Sequence, residues 1–336
     1  MKKIMFFDAK PYDRDSFNRA NEAFGFEIKY INNRLTEDTV SLSAGYDAVC
    51  AFVNGEISAA VIECLHRNGT GLIALRCAGY NNVDLKAAYE KVRVVRVPAY
   101  SPYAVAEHAA ALILSLNRKT YRSFIRTRDS NFALNGLLGF DLNGKTAGVI
   151  GTGRIGQVMV RILKGFGMDV LLYDRYPNKE WAAAAGATYV ELDEIYAKAD
   201  IISLHCPLTP ETKYIINAAS IAKMKHGVML INTSRGALIN TKDLIDALKT
   251  GKIGAAGLDV YEEEDEYFFE DHSSTILTDD TLARLLTFPN VLITAHQAFF
   301  TQEALSNIAD TTLGNIHAYF AGEPLVNEVC FKCANR

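Results

Sequence analysis

From Lys3 to Pro98 short apolar runs alternate with amphipathic segments of helical spacing. The runs predict strands at Ile4 to Phe7, Glu27 to Ile31, Ala48 to Val53, Gly71 to Arg76 and Val92 to Val97, because each is long enough for a buried strand and too short for a buried helix. Helices fit between them. Repetition of strand, helix, strand implies a parallel sheet, since parallel neighbours need a crossover connection and the crossing helices then cover both faces.

Between Tyr103 and Leu116, Ala, Val, Leu and Ile occupy nearly every face of a helix, interrupted only by Glu107, His108 and Ser115. A helix apolar all round must be buried, either in its own domain's core, against a second domain or against another subunit. A second alternation begins at Lys145, with strands near Thr146 to Gly151, Asp169 to Asp174, Ile201 to Cys206, Val228 to Thr233, Gly254 to Val260 and Val291 to Thr294. After His296 one long helix, Thr301 to Phe320, leads to a tail with no sheet of its own. The pattern predicts an α/β chain of two doubly wound parallel-sheet domains with a cleft between them. Residues 1–99 and 298–336 form a discontinuous first domain completed by the C-terminus, and residues 100–297 form the second.

Composition narrows the function without naming it. Hydrophobic residues make up 49% and charged residues 22% of the chain, so a packed core is available throughout. Lys plus Arg number 35 against 39 Asp plus Glu, and no basic stripe interleaved with aromatics could hold a phosphate backbone, so no nucleic-acid partner is expected. No apolar stretch reaches the roughly 20 residues that span a bilayer, so no membrane contact is expected either. The six cysteines are scattered through apolar runs of a long chain, which reads as reduced core residues of a cytoplasmic protein rather than a disulfide framework. Cys330 and Cys333 have metal-ligand spacing but lack a second ligand pair, so no metal is expected and the pair reads as part of a frayed tail.

Strand Thr146 to Ile150 runs into Gly151-Thr152-Gly153-Arg154-Ile155-Gly156 and then into a helix. In this Rossmann arrangement the first glycine permits a tight turn, the second lets backbone amides approach a pyrophosphate, and the third lets helix and strand pack closely. The helix N-terminus attracts the phosphate charge. A bare GxGxxG is weak evidence. It becomes specific here because the next strand ends in Asp174, whose carboxylate would accept hydrogen bonds from ribose hydroxyls and repel a 2'-phosphate. The expected cofactor is NAD. Arg175 beside it could pair with a phosphate but reads better as a solvated surface residue.

In open parallel sheets ligands bind at the carboxyl ends of strands, and three polar segments follow apolar runs there. They are Asn232-Thr233-Ser234-Arg235-Gly236, Asp259-Val260-Tyr261-Glu262-Glu263-Glu264, and Ala295-His296-Gln297-Ala298. One arginine, a choice of acids and one histidine suit hydride chemistry on a 2-oxo acid. The arginine offers a planar fork to the substrate carboxylate and carbonyl, the histidine donates or removes the hydroxyl proton, and a carboxylate behind it fixes its tautomer. Each also has an ordinary reading, as a capping charge, a solvated acidic loop and a core histidine. Their shared position downstream of a dinucleotide fingerprint favours a common role. His205 and Cys206-Pro207, at another strand end, read as lining of the cofactor pocket.

These segments, with Arg76-Cys77-Ala78-Gly79-Tyr80-Asn81-Asn82-Val83-Asp84 and Val97-Pro98-Ala99-Tyr100-Ser101-Pro102, resemble the D-2-hydroxyacid dehydrogenase family from about Lys3 to Val329, most closely its lactate branch. The resemblance implies a flavodoxin-like substrate domain beside the Rossmann domain, and a homo-oligomer, dimer or tetramer. It implies that His296 is general acid and base, Glu264 its partner, and Arg235 the ligand of the substrate carboxylate and carbonyl. It further implies a substrate pocket of Phe52, Ala78, Gly79, Tyr100 and Phe299, with Thr233 and Asp259 near the nicotinamide and Ser234 among the cofactor's contacts. Many relatives carry proline after the glutamate, where this chain has Asp265. The implied reaction interconverts pyruvate and D-lactate. Glycerate, a branched 2-hydroxy acid, or an NAD-sensing scaffold without turnover remain as alternatives.

Overall fold

The computed structural model describes residues 1–264 and 267–332. The chain divides into two compact units, residues 1–101 with 299–336, and residues 102–298.

The first unit contains β1 (Lys3–Phe6), α1 (Pro11–Asn21), β2 (Glu27–Tyr30), β3 (Ala48–Ala51), α2 (Ala59–Arg67), β4 (Leu72–Leu75), α3 (Leu85–Ala88) and β5 (Arg93–Val95). The strands form one parallel sheet in the order β2-β1-β3-β4-β5, the flavodoxin-like order. Side chains alternate across it. Met5, Val49, Ala51, Ile73 and Leu75 face Val61, Ile62 and Leu65 of α2, while Ile4, Phe6, Cys50, Leu72 and Ala74 face Phe17 of α1 and Ile308, Leu313 and Ile316 of the chain's last helix. That last helix spans Gln302–Ala321.

The second unit runs through α4 (Pro102–Arg118), α5 (Thr120–Arg128), β6 (Thr146–Ile150), α6 (Arg154–Gly165), β7 (Asp169–Tyr173), α7 (Lys179–Ala184), β8 (Thr188–Tyr189), α8 (Leu192–Lys198), β9 (Ile201–Leu204), α9 (Ala218–Lys223), β10 (Val228–Asn232), α10 (Thr241–Thr250), β11 (Ile253–Leu258), α11 (Asp280–Leu286) and β12 (Val291–Ile293). All its strands pair in parallel, in the order β12-β11-β10-β9-β6-β7-β8. This is the doubly wound Rossmann order with an added edge strand, and it reverses direction between β6 and β9. Every strand read from the apolar runs is present. The two-residue β8 was not anticipated, being too short to show a period.

The helix expected to be buried on nearly every face is buried on one side only. Ala106, Ala109, Leu112, Ile113 and Leu116 pack on the sheet, whereas Tyr103, Glu107, Ala111, Leu114 and Arg118 form an exposed stripe. The spacing of that stripe is helical, so α4 is an ordinary sheet-covering helix whose outer face is unusually apolar.

Cys50, Cys64, Cys77 and Cys206 are thiols outside any disulfide. Cys330 is disulfide-bonded, which corrects the expectation of six reduced cysteines. Cys333 lies outside the described residues.

Candidate active site

Strand register assembles the site in the second unit. Tyr173, Ile150, Leu204, Asn232, Leu258 and Ile293 are paired across successive strands. The residue after each therefore stands at the same carboxyl edge: Asp174, Gly151, His205, Thr233, Asp259 and Thr294. Gly151 has a φ of +97°, and a Cβ on it would collide with the backbone of His205 and Cys206. Only glycine lets the β6 turn pass so close to the β9 loop.

The phosphate end of this edge has the features a dinucleotide requires. A Cβ on Gly156 would strike the Gly151 carbonyl, so the third glycine is needed for packing. Gly153, the N-cap of the 12-residue α6, has no side-chain cap and open space beside it, leaving the first-turn amides of Arg154 and Ile155 for an anion. The Thr233 hydroxyl is buried without a hydrogen-bond partner among the described residues, as expected of a group whose partner is a ligand. Ser234 donates to the Cys206 carbonyl at 2.7 Å, tying the β10 and β9 loops together. Pro207 follows on the surface. Burial pushes the part-exposed His205 down to about 4, so its ring is neutral at neutral pH, with Ser203 Oγ 2.8 Å from Nε2.

Asp174 is half-buried at the end of β7. One carboxylate oxygen accepts from Tyr176 N at 2.9 Å and the other from Thr152 N at 2.6 Å and Thr152 Oγ1 at 3.0 Å. The acid is thus fixed beside the glycine turn by backbone donors. Arg175 is exposed, 3.8 Å from Glu211. Replacing Asp174 by Ala is expected to lower kcat/KM with NADH about ten- to a hundredfold, the worth of hydrogen bonds to a charged acceptor, and to narrow the preference over NADPH by more. Initial rates with both cofactors check this. An unchanged ratio would remove Asp174 from the ribose site.

At the other end of the edge, Glu264 Oε1 lies 2.7 Å from His296 Nδ1, with the two side chains 17% and 23% exposed. An ionised carboxylate only accepts, so Nδ1 carries the proton and Nε2 is left for a reactant. Glu264 Oε2 accepts from Tyr261 N at 2.9 Å, and the Phe269 ring tilts over the imidazole at 5.8 Å. The three consecutive acids, indistinguishable by sequence, separate here. Glu262 is held by Tyr214 Oη at 2.6 Å and by the amide and hydroxyl of Thr241, so it is a structural tie to α10. Glu263 is exposed. Asp265 and Glu266 lie outside the described residues.

Arg235 is brought to this end by two residues. Asn232, fully buried, accepts from Ser234 N at 3.0 Å and donates to the Arg235 carbonyl at 2.9 Å, which curls the loop back over the strand end. Gly236 follows, where a Cβ would collide with the backbone at Tyr261 and Glu262. Close approach of these two loops places the arginine loop beside the loop that carries Glu264. Nothing in an apolar run that ends in asparagine reveals this turn clamp in the sequence.

His296 has a left-handed backbone, with φ of +51°. Its N–H donates to the carbonyls of Asp259 at 2.7 Å and Thr294 at 3.1 Å. The Asp259 carboxylate is fully buried and accepts from Thr294 Oγ1 at 2.5 Å, Gln297 N at 2.9 Å and Ala298 N at 2.8 Å. Burial alone would raise its pKa, but these donors and His108 outweigh it and hold the carboxyl below the usual carboxylate range. Asp259, expected near the nicotinamide, therefore spends its side chain on the turn that carries His296.

In the first unit, the sheet order reverses between β1 and β3, and Phe52 follows β3 there. The guanidinium of Arg76 lies 4.6 Å from the centre of the half-buried Phe52 ring and 4.8 Å from that of Phe6. Arg76 is buried and donates to the carbonyls of Phe7 and Asp8 and to Asp13. Ala78 and Gly79, beyond Cys77, are held through the Ala78 carbonyl by Arg96 at 2.7 Å. Among the described residues the Ala78 and Gly79 amides donate to nothing within the chain, so they can receive a carboxylate. Tyr100 and Phe299 meet edge to face at 6.2 Å.

Residues 110–298 match the D-isomer specific 2-hydroxyacid dehydrogenase NAD-binding domain. The D-lactate dehydrogenase of Escherichia coli strain K12 is 52% identical over 328 residues, covering 97% of this chain and 99% of that one. The chain is also similar to two solved structures. One is described as the pyruvate reductase of Chlamydomonas reinhardtii, with a TM-score of 0.93, 47% identity, and coverage of 97% and 98%. The other is an NAD-complexed D-isomer specific 2-hydroxyacid dehydrogenase of Lactobacillus delbrueckii ssp. bulgaricus, with a TM-score of 0.84, 32% identity, and coverage of 98% and 100%. The chain belongs to the D-isomer specific 2-hydroxyacid dehydrogenase family, and its second unit is that family's NAD-binding domain. It is an oxidoreductase of small 2-hydroxy acids, with NAD as cofactor.

Proposed function

We propose that this enzyme interconverts pyruvate and D-lactate, with His296, Glu264 and Arg235 performing the chemistry. The observation that carries the reading is the 2.7 Å pair of Glu264 and His296, standing at the carboxyl edge of the NAD-binding sheet. The near-full-length identity with the E. coli relative supports the choice of substrate.

Bound NADH supplies the hydride that C2 of pyruvate accepts. Arg235 binds the carboxylate through its planar fork and offers an N–H to the carbonyl oxygen, where negative charge develops. His296 gives that oxygen a proton from Nε2, so one proton and one hydride convert the ketone to the alcohol. Glu264 keeps Nδ1 protonated and its charge stabilises the ring while both nitrogens carry protons. In the oxidative direction His296 takes the proton back from the hydroxyl at the same nitrogen. Phe52, Ala78, Gly79, Tyr100 and Phe299 are assigned to the substrate, the amides of Ala78 and Gly79 to its carboxylate and Phe52 to its methyl group.

Following NADH loss over a panel of 2-oxo acids tests this reading. Pyruvate should give the highest kcat/KM, and a longer, branched acid or hydroxypyruvate should fall below it. A higher value for either would move the enzyme to another member of its substrate class, and no turnover with any of them would favour a non-catalytic NAD-binding scaffold.

A homo-oligomer belongs to the same proposal. No helix among the described residues is long and apolar enough to cross a membrane, yet Tyr103, Phe124, Ile125, Phe132, Leu134 and Leu138 are all exposed at 52 to 88% along α4, α5 and the segment after them. An apolar surface of this kind marks a contact between proteins. Light scattering should give at least twice the 37.0 kDa chain mass, and a monomer at micromolar concentration would refute the assignment.

A further inference from the structure

His108 lies within the first half of α4, on the side of that helix that meets the sheet. Its Nε2 is 3.0 Å from Thr294 Oγ1 and 3.4 Å from Asp259 Oδ1. The Thr294 hydroxyl has one hydrogen, and at 2.5 Å from Asp259 Oδ1 that hydrogen is committed to the carboxylate. The hydroxyl can then only accept from the ring, so His108 is the donor at Nε2. The chain of contacts continues without a break. Asp259 receives the amides of Gln297 and Ala298, the two residues that follow His296, and its carbonyl receives the amide of His296 itself.

That turn needs holding, because His296 has a φ of +51°, a conformation that residues with a Cβ adopt only when their surroundings impose it. Among the described residues the side-chain and backbone donors to the Asp259 carboxylate come from the turn itself, except for His108, which reaches it from a different element. We propose that His108 is a positioning residue for the proton-transferring histidine, locking Thr294 and Asp259 so that the 294–298 turn aims His296 at its reactant. His108 touches no reacting atom in this role. The inference rests on the assignment of His296 given above, and its test is built so that the two can fail separately.

Three variants are compared with the parent enzyme in saturating NADH: His108→Leu, which removes the donor, His108→Gln, which keeps an N–H of similar reach, and Thr294→Val, which cuts the same link from the other side. A small misplacement of a reacting group costs up to about a hundredfold in rate, so His108→Leu and Thr294→Val should each lower kcat roughly ten- to a hundredfold. KM for NADH should stay within about twofold, since the glycine turn and Asp174 are untouched, and His108→Gln should recover most of the loss. In a His296→Asn background, His108→Leu should have no further effect, because the residue it acts through is gone.

Parental kcat in His108→Leu, no recovery in His108→Gln, or an equal further loss in the His296→Asn background would each overturn the inference. If His108→Leu failed to fold, Thr294→Val carries the same test alone, with parental kcat as the contrary result. Parental activity in His296→Asn would instead overturn the histidine assignment itself.

Discussion

Replacing His296 by Asn is expected to lower kcat for pyruvate reduction by about two to four orders of magnitude, the usual contribution of a positioned general acid. Asn is the informative replacement because position 296 has a left-handed backbone, which Asn adopts with little penalty, so the turn survives. Asparagine can hydrogen-bond to the carbonyl oxygen but cannot hand it a proton. Substrate binding through Arg235 remains, so KM for pyruvate should change much less than kcat. Stopped-flow and steady-state rates on the variant, with its melting temperature as a control, check this. A kcat within tenfold of the parent would mean that the proton comes from elsewhere.

For Arg235→Gln the expected loss is larger when read as kcat/KM for pyruvate, about 10⁴- to 10⁷-fold. Two charge-assisted hydrogen bonds to the carboxylate disappear, each worth about 1.5 to 3 kcal/mol. A donor to the developing oxyanion goes with them, which by itself costs about 10²- to 10³-fold in kcat. Both parameters should therefore move, KM upward and kcat downward. Arg235→Lys should recover only part of the activity, because a point charge does not reproduce the planar fork. The loop itself should persist, since Asn232 holds the backbone of this segment through the Arg235 carbonyl rather than through its side chain. A rise in KM with kcat unchanged would restrict Arg235 to ground-state binding and take it away from the carbonyl oxygen.

How much of this was legible in the sequence follows from which interactions are local. Central strands such as β3, β4, β9 and β10 announced themselves because each is a largely apolar run buried on both faces of a parallel sheet, whereas the edge strand β2 alternates exposed and half-buried residues. The glycine turn and Asp174 were legible because their spacing is fixed by one strand-turn-helix-strand unit. The choice among Glu262, Glu263 and Glu264 was not, since it depends on what faces each from distant segments: Thr241 and Tyr214 for the first, His296 for the third. His108 was hidden for the same reason. In sequence it only interrupts an apolar helix, and its significance appears when strand register brings Thr294 and Asp259 to the same edge. Cys330 misled because spacing and chain size do not decide whether a given thiol is oxidised.

The assay closest to the central proposal is the handedness of the product. Incubating the enzyme with pyruvate and NADH, then separating the lactate on a chiral column, should give D-lactate alone, one molecule for each NADH consumed. Predominance of L-lactate would contradict the placement of His296 and Arg235 about the carbonyl, and NADH loss without lactate would contradict the choice of reaction.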